Sequence, residues 1–348
     1  MASQAYDLIL VGSGFASTFF LHRALEKLGP QARVLVLEAG KLDSHAWQIK
    51  NSKNASIAYR DTYENRTPGK SWVYNPGFGG SSNCWWACTP RMLPADFELN
   101  TRYGVGRDWP IGYSELEEYY CEAEELMAVS GPSGDSPFPR SRPYPQPKHN
   151  LTDPDKLLKK GHPDQFFVQP TARARVATKR RGPCCSTATC HLCPINAKFT
   201  IQNEMAHLYE DSRVTLELEA PAQQILLEAG QARGVLYKRN GRDVEARGEA
   251  VAIGANALFN PYLLQQSGFK HPLLGQHLTE QASITITADL DGVDNFQGST
   301  SITGHGYLHY DGVHRRKRAA ALIETMNIPT LRHEKGRWRQ RIQLKFIF

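Results

Sequence analysis

The most constraining stretch lies near the start: "LILVGSGFASTFFLHRALEKLGPQARVLVLEAG", residues 8–40. Leu8 to Val11 is a short apolar run of the kind shown by a strand buried on both faces. Gly12 and Gly14 follow at once. From Ala16 to Leu28, the residues Leu21, Leu25 and Leu28 recur at helical spacing, and Gly29-Pro30 ends the segment. Arg33 to Leu37 reads as a second strand, closed by Glu38. Strand, glycine turn, helix, strand and acid is the pattern of a dinucleotide site. Gly12 permits the tight turn, and Gly14 lets backbone approach a pyrophosphate resting on the helix N-terminus. Ser17 stands where the fingerprint has its third glycine, and a small residue suffices there for helix to pack on strand. Glu38 can accept both hydroxyls of an adenosine ribose, and its charge would repel a 2′-phosphate, which disfavours NADP. On this stretch alone NAD and FAD both stay open.

A chain of 348 residues can hold two domains with cores of their own. Hydrophobic content of 41% and charged content of 22% are ordinary for a packed protein. The net charge of +6 is modest, and neither basic run, Lys179-Arg180-Arg181 nor Arg315-Arg316-Lys317-Arg318, interleaves with aromatics. Both read as solvated loops rather than nucleic-acid contacts. No stretch approaches the ~20 apolar residues of a membrane span. The first apolar run lacks a basic leader and is broken by Gly12-Ser13-Gly14, unlike a signal peptide. The expectation is a cytoplasmic protein, with export to the periplasm beside a partner subunit as the alternative. Seven cysteines, four of them within ten positions, make a metal or redox cluster rather than a disulfide framework.

Residues 41–110 are rich in aromatics, glycine and proline and read as long loops over a ligand. From Ser114 a helix is expected, with Ser114 and Glu117 as a capping box and Leu116, Tyr120, Ala123 and Met127 as its apolar stripe. A proline-dense stretch at 131–148 reads as an excursion, and 195–210 as helical. Arg213–Leu218, Gln224–Leu227, Gly234–Arg239 and Val244–Ile253 read as successive strands. The last runs into Gly254-Ala255 and a helix from about Leu258 to Gln266, which would return the chain to the first sheet. From Ser283 the pattern alternates like an antiparallel strand of a second sheet. The fold class is therefore α/β. A Rossmann-like domain takes residues 1–130 with 195–281, an excursion 131–194 carries the cysteines, and an antiparallel-sheet domain takes 282–348.

A second motif is "PGFGGSSNCWWACTPRMLPADFE", residues 76–98. Gly79 and Gly80 let backbone come close to a flat ligand, and Ser81, Ser82 and Asn83 add short polar side chains. Read alone, it is equally a glycine-rich turn beside a packed tryptophan pair. Together with "VGSGFAS…VLVLEAG", "DWPIGYSELEEYY", "AIGANALFNPYLLQQSG" and "HPLLGQHLTEQ", the chain resembles the glucose-methanol-choline (GMC) family of FAD-dependent oxidoreductases over residues 7–281. The resemblance implies FAD, a two-domain α/β fold, and oxidation of an alcohol or sugar CH–OH group by hydride transfer to flavin. It implies that Gly12, Gly14, Ser17, Glu38 and Ala39 hold the ADP part. Gly80, Ser82, Asn83 and Cys84 would lie along the flavin, and Gly254 would complete the cofactor set. Pyranose oxidases, within that family, carry a flavin-linked histidine in the Cys84 slot. A cysteine there removes that link, so non-covalent FAD is expected, with a cysteinyl thioether as the alternative.

Cys184, Cys185, Cys190 and Cys193 are spaced closely enough for thiolates to converge on one soft metal or an iron–sulfur cluster. The stretch is similar to that of bacterial membrane-associated FAD glucose dehydrogenase catalytic subunits. That similarity implies an iron–sulfur relay to an electron-acceptor protein such as a cytochrome subunit. A metal-free structural loop and a zinc site are the other two readings.

Hydride transfer from an alcohol needs a base for the hydroxyl proton, usually histidine. In the resembled family it comes from a C-terminal segment that returns after the substrate sheet. His305 and His309, in "TGHGYLHYDG", read instead as loop or strand histidines, so no catalytic residue is nominated. Ile342, Leu344, Phe346 and Phe348 alternate up to the last residue with no turn after them. A strand broken off mid-pattern would leave apolar surface unpaired, so the chain is expected to be a fragment whose substrate domain is C-terminally incomplete. The rival functions are an NAD-dependent dehydrogenase and a non-catalytic FAD and iron–sulfur electron-transfer module.

Overall fold

The computed structural model describes residues 5–67, 69–290, 292–293, 299–327, 331–334 and 336–348. The chain divides into two compact units: residues 1–85 with 200–279, and 86–199 with 280–348. Residues 86–130, expected in the cofactor domain, thus fall with the second unit, as does the cysteine excursion.

The first unit is organised by a six-stranded sheet in the order Val214–Glu217, Val34–Leu37, Tyr6–Val11, Arg242–Ile253, Gln231–Arg239, Ala222–Glu228. Its first four strands run parallel, with Leu10 opposite Val36 on one side and Ala252 on the other. The last three form an antiparallel meander. The helix expected after the glycine turn spans Phe15–Lys27 and buries Leu21 and Leu25. The helix after Gly254 spans Asn256–Gln266. Ile9, Leu35, Val235, Tyr237 and Leu263 meet in one core cluster. The run of β-branched and leucine residues in the two inner strands reads as it does because both of their faces are covered.

The second unit carries a five-stranded antiparallel sheet, in the order Ser283–Ala288, Ile342–Ile347, Ala321–Met326, Ile302–His309, Phe166–Val168. Two expectations change here. The alternating Ile342–Ile347 segment is not a bare edge: it is hydrogen-bonded on both sides, to Ser283–Ala288 and to Ala321–Met326. The excursion is also more ordered than its prolines suggest. Asp153–Gly161 is a helix whose Thr152 hydroxyl caps Asp155 N–H, with Pro154 in its first turn, and Phe166–Val168 joins the sheet.

The Tyr113–Met127 helix starts one residue before the expected one. Its first turn is closed by Glu115, which accepts Gly112 N–H at 2.7 Å, rather than by Ser114 and Glu117. Glu117 is drawn elsewhere. Arg91, 4% exposed, pairs with Glu124 through Nε–Oε1 at 2.8 Å and Nη2–Oε2 at 2.9 Å, and reaches Glu117 Oε1 at 3.0 Å. Arg140 adds a third contact to Glu124 at 2.7 Å. The helix's deepest residues are therefore Tyr113, Cys121 and Glu124 rather than the apolar stripe. Partial burial would raise the Glu117 carboxyl, but bonds from Ser141 and Arg91 outweigh it and lower it to about 2.

Replacing Arg91 by Met would leave Glu124 buried with half its partners and should destabilise the fold by roughly 3–5 kcal/mol. The urea midpoint measures this. Because Glu117 is held below its ordinary 4.5, its contribution is complete above that pH and fades as pH falls toward about 2. Acid unfolding of Glu117→Gln should show a shallower loss over that interval than the parent.

Candidate functional site

The glycine turn after the first strand opens on a cleft of ≈ 880 Å³. Gly12 sits at φ +95°, and a Cβ there would lie 2.7 Å from the Gly254 carbonyl oxygen, so both conformation and space demand glycine. Gly14 caps the Phe15–Lys27 helix with no side-chain hydrogen bond, which leaves its first-turn N–H groups to a ligand. Gly254 is held against the same turn: a Cβ there would come within 2.1 Å of Ser17 Oγ.

Residues 77–83 pack on this turn. Gly79 N–H donates to Ser13 Oγ at 3.0 Å, and Phe78 N–H donates to Lys41 O at 2.9 Å. Gly80, at φ +52°, stands so close that a Cβ would be 3.1 Å from Gly14 Cα. The two motifs, some seventy positions apart in sequence, are one wall in space. Ser13, fully buried, links them: its Oγ donates to Glu38 Oε2 at 2.6 Å while accepting from Gly79.

Glu38 is more occupied than expected. Oε2 also accepts Ser13 N–H at 3.1 Å, and Oε1 accepts Gly40 N–H at 2.9 Å. A carboxylate has about four acceptor positions, so Glu38 retains capacity for about one ribose hydroxyl rather than both.

The sequence-nominated residues now separate. Gly12, Gly14, Glu38, Ala39, Gly80 and Gly254 line the cleft. Ser17, Ser82, Asn83 and Cys84 are not in its lining. Ser17 fills the helix–strand seam and donates to Val11 O at 3.4 Å. Ser82 Oγ donates to Gly79 O and accepts Ile201 N–H, and Asn83 Nδ2 donates to Phe78 O. These side chains hold the 78–83 turn in shape. Cys84 Sγ lies 3.6 Å from Ser81 O. The cleft also takes Tyr74, Asn75 and Gln223, which no motif signalled, and Phe259, Asn260 and Tyr262, which lie in the "AIGANALFNPYLLQQSG" stretch without having been nominated. Ser13 was missed as well, although its place between the two glycines is the signal that could have found it.

Cys184, Cys185, Cys190 and Cys193 meet at one small cavity of ≈ 10 Å³ together with buried Arg173 and Lys198. Backbone N–H groups donate to three of the sulfurs: Ser186 to Cys184 at 3.4 Å, Ser301 to Cys190 at 3.3 Å and Ala197 to Cys193 at 3.3 Å. Burial raises the Cys184 thiol above its ordinary value. Four thiols suit a soft metal. As the side chains stand, however, no three Cys, His, Asp or Glu among the described residues could hold a metal ion together. The volume is that of about one water, not of an iron–sulfur cluster. Arg181, expected on a solvated loop, is buried and donates to the carbonyls of Met127, Ala172 and Ala197 beneath this loop.

Residues 165–283 match the GMC oxidoreductase family model. The matched segment is 119 of the chain's 348 residues. It is 28% identical over 236 residues to the fructose dehydrogenase large subunit of Gluconobacter japonicus, covering 56% of this chain and 41% of that protein. It is 25% identical over 333 residues to the C-glycoside 3-oxidase of Arthrobacter globiformis, covering 86% and 60%. Pyridoxine 4-oxidase from Mesorbium loti shares the fold, with TM-score 0.62 at 16% identity, over 98% of this chain and 71% of that one. The chain thus spans less than half the length of the fructose dehydrogenase subunit. The GMC match begins at residue 165, so the glycine turn and the 78–83 turn stand on their own geometry. No helix among the described residues is long and apolar enough to cross a membrane.

Ser13→Ala removes one hydroxyl that serves both Glu38 and Gly79, and should weaken cofactor affinity about tenfold, the equivalent of ~1.4 kcal/mol, with the fold retained. Titration of the stripped protein with FAD reads it directly. Gly12→Ala should yield protein that retains no cofactor through gel filtration.

Proposed function

We propose that the chain binds FAD in the Gly12–Gly254 cleft and that the whole protein oxidises a CH–OH group of an alcohol or sugar. The observation that carries this is the seating of the Gly79–Gly80 turn on the Gly12–Gly14 turn, joined through Ser13. An NAD-dependent dehydrogenase would use the first turn and leave the second without a role. FAD fits the residues present: a glycine cradle, an uncapped helix start for a diphosphate, and a cleft within the range of cofactor pockets, ~300–1,000 Å³. Gly12, Gly14 and Gly80 supply close backbone approach, and Glu38 and Ala39 stand at the ribose side. Bound there, FAD would supply the hydride acceptor. The chain's own part is to fix the cofactor through the helix N-terminus and to keep water from one face with Phe15 and Trp85, whose rings meet edge-on at 4.8 Å.

The substrate is proposed as a sugar or polyol, supported by the names of the two relatives, and the electron acceptor as a protein subunit, supported by the word "large" in the first. A thiolate-held iron–sulfur relay at the cysteine cavity is a second reading. It is favoured by the backbone N–H groups aimed at three sulfurs, which stabilise thiolate charge.

The full-length protein should purify yellow, release all flavin on denaturation, and bleach when a sugar is added without oxygen. Colourless protein that does not take up FAD would end the reading. Iron and acid-labile sulfide should accompany the flavin if the cysteine relay exists; their absence would leave the quartet as a structural loop.

A further inference from the structure

Ser13 is also tied through its carbonyl, from beneath the first glycine turn. The carbonyl oxygen accepts the Thr18 hydroxyl at 3.1 Å, and Thr18 Oγ1 lies 2.6 Å from the Tyr209 hydroxyl. Thr18 is fully buried and Tyr209 is 9% exposed. The direction of this chain follows from counting hydrogens. Thr18 has one, and a carbonyl only accepts, so Thr18 donates to Ser13 O and Tyr209 donates to Thr18. Burial pushes the Tyr209 hydroxyl well above its ordinary value, against the pull of the Thr18 bond, so the donor stays protonated.

Tyr209 belongs to the short 3₁₀ turn Ala206–Glu210, 191 positions beyond Thr18. Its ring meets that of buried Phe78 edge-on, with centroids 4.8 Å apart. One side chain thus braces the 78–83 turn with its ring and the Gly12–Gly14 turn with its hydroxyl.

The consequence lies in the peptide between Ser13 and Gly14. It is planar and trans, so its carbonyl and its N–H point to opposite sides. With Ser13 O held toward buried Thr18, the Gly14 N–H is turned the other way, toward the cleft that Gly14 lines. That N–H has no acceptor among the described residues. It stands at the start of the Phe15–Lys27 helix, where negative charge is favoured. Thr18 left to itself has a second choice. A helical threonine hydroxyl can turn back on the carbonyl four residues earlier, here Gly14 O, which already accepts Thr18 N–H at 3.0 Å. The Tyr209 donor occupies Oγ1 and keeps its hydrogen on Ser13 O. We propose that Tyr209 is a positioning residue for the cofactor diphosphate: acting through Thr18, it fixes the 13–14 peptide plane and so aims Gly14 N–H at the anion. The proposal rests on the dinucleotide reading of the cleft given above.

The test is calorimetric titration of the full-length protein, freed of flavin, with FAD, ADP and adenosine. ADP and adenosine differ only in the diphosphate, and the parent should bind ADP at least tenfold more tightly. Tyr209→Phe keeps the ring on Phe78 and removes the hydroxyl. It should weaken FAD and ADP about fivefold, the effect of one hydrogen bond, and leave adenosine unchanged. Thr18→Val should lose as much, and the double variant no more than either alone, because both break one path. Thr18→Ser keeps the hydroxyl and should match the parent. Tyr209→Phe protein that binds ADP as the parent does, or that loses ADP and adenosine in equal proportion, would overturn the proposal. Losses that add in the double variant would do the same. Should Tyr209→Phe not fold, Thr18→Val against Thr18→Ser decides by the same ratio of ADP to adenosine. A parent that takes up neither FAD nor ADP would sink the dinucleotide reading and the proposal with it. A parent that binds both, beside unaltered variants, would sink the role of Tyr209 alone.

Discussion

A single hydroxyl group holds the cofactor cleft together. Ser13 Oγ gives its hydrogen to Glu38 and takes one from Gly79 N–H, and so ties the first glycine turn to the end of the second strand and to a turn far along the chain. The position is fully buried, where each of these polar groups would be costly without a partner. The closeness of Gly80 to Gly14 and of Gly40 to Gly77 follows from this knot. These glycines allow main chain to meet main chain with no side chain between, which is what a flat dinucleotide on a protein surface requires.

The first half of this arrangement is legible in the sequence because its signals are local. The apolar run 8–11, the glycines at 12 and 14 and the leucines at 21 and 25 each act on near neighbours, so periodicity exposes them. Gly254 also reads correctly, since a strand leading to a glycine and a helix is the same local grammar repeated. What stayed hidden depends on distant partners. Arg91 gives no sign in sequence that it will draw Glu117 and Glu124 inward, and so the helix seemed to cap at Ser114 and to bury an apolar stripe. Arg181 sits in a run of cations that looks solvated, yet its guanidinium satisfies three carbonyls beneath the cysteine loop.

The candidate site shows the same division. Residue types named for the cofactor separate into those that shape the cleft and those that brace the turn behind it, and no motif distinguishes the two roles. Ser82 and Asn83 are polar because the tight 78–83 turn exposes carbonyls and N–H groups that short side chains must satisfy within the protein. A polar row on the second sheet was missed for another reason. His305, Glu324 and Lys345 lie on separate strands, and only register sets them in a row.

The placing of the Arg242–Ile253 strand beside Tyr6–Val11 has a consequence for how the molecule is made. Gly12 and Gly254 touch across the cleft, yet a ribosome delivers them far apart in time, with most of the second unit's loops emerging in between. The nascent N-terminal strand must keep an apolar side uncovered throughout that interval. Pairings of such long sequence separation are slow to form, and this sheet cannot be completed before the 248–253 stretch has been synthesised.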